Sequence, residues 1–396
     1  MLYRINPKTG DKLSALGFGA MRLPIKDDGR IDEQTASEMI RYAIENGVNY
    51  IDTGYDYHKG ESESFIGRAL KGGLREKVFL ATKLPSWHVE SKEDMKKILD
   101  EQLSRLQTGY IDYYLLIALS KTRWRKLFDL GVTDFLDEAK RKGAIKHAGF
   151  SFHGDFNLFR KILDSYDWDI CQVQYNYLDE DFQAGTKGLE YARKKGIGVA
   201  AMMPLRGGHL AGNIPDDING MLKKVDSNRS PAEWGYKWVL NRPEISVMLS
   251  GMSTPEQAKE NVRVASESEP LSMTYKELEL VSDVAEILRK KMRINCTNCG
   301  YCMPCPEGVD IPACFTHYNS SFLFNDFETA NFYYHSMLKP ESNGTGAASM
   351  CTRCGRCLEM CPQGINIAEM LSEVENYFSD SRQTIPAEAR ENYVQE

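Results

Sequence analysis

Two groups of residues in this 396-residue chain have the types and spacing to do chemistry. One is a pair of cysteine strings. Cys296, Cys299, Cys302 and Cys305 precede Pro306, and Cys351, Cys354, Cys357 and Cys361 precede Pro362. Three thiolates at three-residue steps can reach three irons of one cube, with the fourth supplied from elsewhere; where two such clusters occur, the cysteine before proline serves the other one. The spacing predicts two [4Fe–4S] clusters with crossed ligands. Cys296, Cys299, Cys302 and Cys361 hold one, and Cys351, Cys354, Cys357 and Cys305 hold the other. Zinc is the competing reading, although structural zinc usually takes two separated Cys-x-x-Cys pairs. The other group is Asp52, Tyr57 and Lys83, each at or just after the end of a short apolar run. A lysine buried at a strand end needs a counter-charge, which Asp52 can supply. Its ammonium would lower the pKa of a nearby phenol and make Tyr57 a usable proton donor.

The elements that must position these groups form a repeating pattern. Short branched or aromatic runs are Leu16–Met21, Asn49–Thr53, Val78–Lys83, Ile111–Leu116, His147–Ser151, Ile170–Tyr175, Gly198–Met203 and Ile245–Leu249. Segments of helical periodicity lie between them, Glu33–Glu45 and Pro255–Val264 among them. Strand–helix alternation at this count predicts a (β/α)8 TIM barrel, whose chemistry sits at the C-terminal ends of the strands. An open doubly wound sheet would place a glycine-rich phosphate turn after its first strand; Gly17-Phe18-Gly19 matches weakly, because no helix opens behind it. Tyr275–Lys291 reads as a further helix. We expect a barrel over 1–270, a bridging helix over 271–291 and a mostly helical ferredoxin-type domain over 292–396, with helices at Phe315–Phe324 and Phe327–Met337.

Composition narrows the class. Hydrophobic residues make up 42% and charged residues 27%, which suits a globular chain and excludes disorder as the main state. The net charge of −7 argues against a nucleic-acid partner. No apolar run approaches the roughly 20 residues that cross a bilayer, and the opening residues lack a signal peptide's apolar core. Nine of the ten cysteines crowd between Cys296 and Cys361, which fits metal or cluster binding in a reducing, cytoplasmic setting. Cys171 and Cys314 stand off the motif spacing and read as buried structural thiols.

The segment Asp52-Thr53…Tyr57…Gly60-x-Ser62-Glu63, with Lys83 one strand later, resembles the aldo-keto reductase family over about residues 1–270. The whole chain resembles the subgroup with a C-terminal iron–sulfur domain. The resemblance implies nicotinamide-linked reduction of an aldehyde or ketone, or oxidation of the alcohol, with Tyr57 as the acid and Lys83 and Asp52 as its tuners. It implies that Ser151 and Gln172, and Asn176 less well, contact the nicotinamide, and that Gly251, Gln257 and Asn261 line the adenosine-phosphate loop. Two departures stand out. Ile117 occupies the place of the family's histidine, which donates a hydrogen bond to the carbonyl oxygen. Met202 replaces the aromatic residue that stacks on the nicotinamide. His58, His88 and His153 follow strand ends and are the replacement donors on offer. Without cations at 251 and 257, NADH competes with NADPH as the cofactor.

Nicotinamide moves a hydride, whereas a [4Fe–4S] cluster passes single electrons, and a flavin normally mediates such a split. Arg206-Gly207-Gly208 follows the seventh run, where barrels often bind phosphate, so FMN with Arg206 at its phosphate is a further cofactor reading. Three functions follow. The first is a carbonyl reductase, on a substrate that is sugar-like if Trp87, His88, Trp124 and Phe152 line its pocket, with clusters exchanging electrons with an external carrier such as ferredoxin. The second is a ferredoxin-fed reductase without nicotinamide. The third is a non-catalytic redox protein on a barrel that lost its histidine.

Overall fold

The computed structural model describes residues 1–212, 214–338 and 346–379. Parts of the expected C-terminal domain, 339–345 and 380–396, lie outside the described residues. The chain forms two compact units. One comprises Met1–Ile214 and Asn219–Ser282; the other comprises Pro215–Ile218 and the described residues from Asp283 onward.

The first unit opens with an antiparallel hairpin, β1 (Tyr3–Ile5) and β2 (Lys12–Ser14). Every predicted run then becomes a strand. These are β3 (Leu16–Gly19), β4 (Tyr50–Asp52), β5 (Phe79–Pro85), β6 (Ile111–Leu119), β7 (Ile145–Phe152), β8 (Ile170–Gln174), β9 (Gly198–Met202) and β10 (Val247–Gly251). They pair in parallel in chain order, and β10 pairs with β3 to close the barrel. Gly17 and Gly19 lie inside β3. A Cβ on Gly17 would come within 2.6 Å of Leu249 Cδ2. This glycine therefore makes room for interior packing and does not shape a phosphate turn.

The strand starts meet in a lower layer of Tyr50, Ala81, Tyr113, Ile170, Ala200 and Val247, against which Leu13 of the hairpin packs. The Tyr113 hydroxyl donates to Asp11 Oδ2 at 2.5 Å and lies 3.2 Å from Thr9 Oγ1. Asn6 Nδ2 donates to the same hydroxyl at 3.3 Å. The hairpin thus stoppers the N-terminal mouth with polar groups that satisfy one another.

Side chains that accept the free N–H groups of a first turn set the helix starts. Ser91 and Asp94 form a reciprocal capping box at Lys92–Arg105, and Ser230 and Thr254 cap Pro231–Leu240 and Pro255–Glu267. The periodicity missed the helix Lys121–Asp129. Only Leu127 of that helix is buried, so it shows little apolar stripe.

The second unit is helical: Ile311–Leu323, Phe327–Leu338, Arg356–Met360 and Ile367–Ser379. Its core holds Ile311, Phe315, Tyr334, Leu371 and Phe378, and six string cysteines pack against it. Tyr334 stacks on Phe378 with centroids 4.4 Å apart. Asn319 Oδ1 accepts from the backbone of Arg293 and Ile294, which ties the start of the first string to the helix Ile311–Leu323. Cys171 and Cys314 are both fully buried, as their positions off the motif imply. The Cys314 thiol donates to Gly346 O at 3.3 Å.

Candidate active site and cysteine-lined sites

Strand register brings the predicted triad together. Asp52 pairs with Ala81 across β4 and β5, so Lys83, two residues on, shares that face. Lys83 Nζ donates to Asp52 Oδ1 at 2.6 Å and to Thr53 O at 2.5 Å. Both side chains are almost fully buried. Burial pushes the Asp52 carboxyl up from its ordinary value, and the Lys83 ammonium pulls it back. The ammonium lies 5.0 Å from the centroid of the Tyr57 ring. Tyr57 opens a tight turn in which His58 and Lys59 take positive φ. Gly54 admits the ring: a Cβ there would lie 3.0 Å from Tyr57 Cε1 and Cζ.

A buried network braces Lys83 from below. Gln102 Nε2 donates to Lys83 O at 3.0 Å and to Glu63 Oε1 at 2.7 Å. Glu63 Oε1 also accepts from Thr82 Oγ1 at 2.6 Å, and Tyr114 donates to Gln102 Oε1 at 2.8 Å. Burial pushes the Glu63 carboxyl up, against the pull of Thr82, Gln102 and Arg105. The sequence motif contains Glu63 but gives it no role, and Gln102 is not legible there, because a lone polar residue inside a helical pattern carries no signal of its partners.

The residues at the ends of β7, β8 and β9 are neighbours. Ser151 pairs with Gln172 in register. Ser151 Oγ and Gln172 Nε2 donate to Met202 Sδ at 3.7 and 3.5 Å. Gln172 Oε1 is buried with no hydrogen-bond partner among the described residues, so Gln172 holds an acceptor that a carboxamide N–H would satisfy. Ile117 is buried on β6, in register with Pro85, and has no polar atom to offer. The histidines are otherwise engaged. His58 Nε2 accepts from Leu23 N at 3.2 Å, His88 Nε2 meets Asp56 Oδ1 at 3.1 Å, and His153 Nδ1 meets Gln183 Oε1 at 3.2 Å. Burial pushes His153 down to about 4. Asp56 also accepts from Trp87 Nε1 at 3.0 Å. Phe152 is fully buried against Phe150 and Phe159, which removes it from any pocket wall.

The remaining cofactor candidates are held by the fold. Asn261 Nδ2 donates to Tyr236 Oη at 3.0 Å and Ser250 Oγ at 3.2 Å. Gln257 Oε1 accepts from Ser253 N at 2.8 Å and fixes the loop after Gly251. The Asn176 amide is used by Asp179 and Leu178 in its own turn and by Met203 O, just after β9. Arg206 is fully buried with Nε 3.1 Å from Asp179 Oδ2. A phosphate needs an accessible cation, so Arg206 does not fit the FMN reading. Arg22 was missed: its side chain runs along the face of Gly251, where a Cβ would approach it to 3.1 Å. Its charge and that of Arg206 add to burial in pushing His209 down to about 4.

In the second unit, Cys296, Cys299, Cys302 and Cys361 line one cavity together with Thr297, Gly300 and Pro362. Burial pushes the Cys302 thiol up, and the neighbours that add to this are Cys299, Cys296 and Cys361. For Cys357, burial is joined by Cys351, Cys305 and Cys354. Each string thus stands beside the last cysteine of the other. Asn298 N donates to Cys296 Sγ at 3.4 Å. The Thr297 residue is fully buried, and its hydroxyl, hydrogen-bonded to the Cys299 thiol, opposes the upward push of burial on that thiol. Among the described residues no three His, Cys, Asp or Glu side chains crowd closely enough to share one metal ion. Thiols spread around a cavity suit a cube, in which each takes its own iron.

Among the described residues no helix is long and apolar enough to cross a membrane. Residues 15–279 match the Aldo/keto reductase family, and residues 295–365 match the 4Fe-4S dicluster domain. The chain is 27% identical to an NADH-specific methylglyoxal reductase of Escherichia coli, covering 66% of this chain and 91% of that protein. It is 28% identical to an L-galactose dehydrogenase of Arabidopsis thaliana, covering 70% and 92%. It is similar in structure to an aldo-keto reductase of Bacillus halodurans in its holo form, with a TM-score of 0.61 and 26% identity over 72% of this chain and 96% of the other. The chain belongs to the aldo/keto reductase family and carries a C-terminal 4Fe–4S ferredoxin-type domain.

Proposed function

We propose that this oxidoreductase interconverts a small carbonyl compound and its alcohol at the rim of the barrel, with Tyr57 handling the proton. The observation that carries the reading is the buried Lys83–Asp52 pair at 2.6 Å with its ammonium 5.0 Å from the Tyr57 ring. An ammonium has three donors. Two are spent on Asp52 and Thr53 O. The cation so fixed favours the phenolate that remains once Tyr57 has given its proton to the substrate oxygen. Gln102 and Glu63 hold the strand that carries it. A nicotinamide, when bound, supplies or accepts the hydride; Ser151 and the unpaired Gln172 carbonyl are the residues to hold its carboxamide. The NADH specificity of the Escherichia coli relative favours NADH.

In the second unit, Cys296, Cys299, Cys302 and Cys361 hold one [4Fe–4S] cluster and Cys351, Cys354, Cys357 and Cys305 a second. Clusters, when bound, pass single electrons to and from an external carrier.

A second reading has its own support. Ile117 offers the carbonyl no donor, and Met202 already takes the Ser151 and Gln172 donors. In that reading electrons arrive from a one-electron carrier and no nicotinamide is used. Anaerobic turnover of an aldehyde and ketone panel separates the two. Oxidation of NADH or NADPH with substrate supports the first. Turnover with reduced ferredoxin or viologen and none with either nicotinamide selects the second. No turnover with any donor sinks both.

A further inference from the structure

The two cysteine strings differ in charge and exposure. From Cys296 to Pro306 there is no charged residue, and Glu307 follows. From Cys351 to Cys361 there are Arg353, Arg356 and Glu359. Cys354 is exposed, while Cys296, Cys299, Cys302, Cys305, Cys351, Cys357 and Cys361 are partly covered. Arg353 and Arg356 on either side of Cys354 are exposed, and Leu358 keeps 41% of its surface open. Arg353 donates to Ser372 Oγ at 2.8 Å. Neither guanidinium has an ion-pair partner among the described residues.

We propose that the exposed edge around Cys354, flanked by Arg353, Arg356 and Leu358, is the docking face for a small one-electron carrier protein with an acidic surface. The proposal deepens the two-cluster reading and rests on it. A chain of net charge −7 repels an acidic partner over most of its surface. Arg353 and Arg356, without ion-pair partners among the described residues, add local positive charge beside the exposed cysteine. The charges orient the encounter, and Leu358 gives the contact an apolar centre. With a cluster held by Cys351, Cys354, Cys357 and Cys305, one electron would pass from the carrier's centre to that cluster. The carrier is oxidised by one electron, the cluster is reduced by one, and no bond is made or broken.

The test is stopped-flow reduction of the anaerobic full-length protein by a reduced acidic two-cluster ferredoxin, comparing the natural protein with R356E and R353E/R356E. The second-order rate should fall about tenfold or more at low salt, and the difference should close at high salt. Dithionite should bring all three to the same end point with equal iron and sulfide. Reoxidation by cytochrome c, a basic carrier, should speed up in the variants. Should R353E/R356E lose iron, R356E decides, because the Arg356 side chain makes no hydrogen bond among the described residues. Unchanged rates with intact iron, or slower reaction with cytochrome c, overturn the proposal. A natural protein without iron or sulfide overturns the cluster reading itself.

Discussion

Lys83 Nζ and Asp52 Oδ1 stand 2.6 Å apart with both side chains shut off from water. A buried pair of this kind is costly to break one partner at a time, because the survivor keeps its charge without compensation. Asp52→Ala should destabilise the barrel by about 3–5 kcal/mol. The double change Asp52→Ala with Lys83→Met should recover much of that loss. Urea unfolding followed by tryptophan fluorescence measures both, since all five tryptophans precede Ser282. A double variant less stable than the single one would contradict the pairing.

On the proposed reading the Tyr57 hydroxyl transfers the proton, whereas its ring packs beside Gly54. Tyr57→Phe should lower kcat for carbonyl reduction by about 10²–10⁴-fold with an unchanged melting temperature. Gly54→Ala should also reduce kcat, because its Cβ would press within 3.0 Å of the ring. Full activity in Tyr57→Phe would remove this residue from the chemistry.

Two histidines couple stability to pH. Burial lowers His153 and His209 to about 4 from 6.5. The unfolded chain therefore binds more protons than the native one between about pH 6.5 and 4, and stability falls as pH drops through that window. At pH 5 each contributes a loss of at most about 2 kcal/mol relative to pH 8. His153→Asn should flatten the profile of urea midpoint against pH. A midpoint that rises on acidification would refute the sign.

Crossed ligation has a signature in double variants. Cys305→Ala and Cys354→Ala should each halve the iron per chain, and together they should lose no more than either alone, since both serve one cluster. Cys305→Ala with Cys299→Ala should lose nearly all of it. Iron analysis with electron paramagnetic resonance of the reduced protein reads this directly. The reverse pattern, near-total loss in the Cys305/Cys354 double variant and loss of only half in the Cys305/Cys299 one, would mean that the strings do not cross.

The barrel was legible because each strand shows a short apolar run between helical periods, and the runs survive almost residue for residue in β3 to β10. The hairpin Tyr3–Ile5 and Lys12–Ser14 was not legible, because three-residue strands of mixed polarity carry no period. Asp52, Tyr57 and Lys83 could be found because their spacing matches strand ends. What Asn261, Arg206 and Arg22 do could not be read. Each is tied by partners far away in sequence: Asn261 to Tyr236, Arg206 to Asp179, and Arg22 to the bare face of Gly251. Side-chain engagement of that sort belongs to tertiary packing and leaves no local mark.

Asn6, Thr9 and Asp11 gather around the Tyr113 hydroxyl and close the N-terminal end of the barrel. Whatever visits Tyr57 arrives and departs through the same opening as any companion molecule that must react with it. Two guests sharing one door enter in sequence, and the one lodged deeper leaves last. On the proposed reading, in which a nicotinamide and a carbonyl compound both reach Tyr57 from the opposite end, this closed floor favours binding in a fixed order, with the deeper guest entering first.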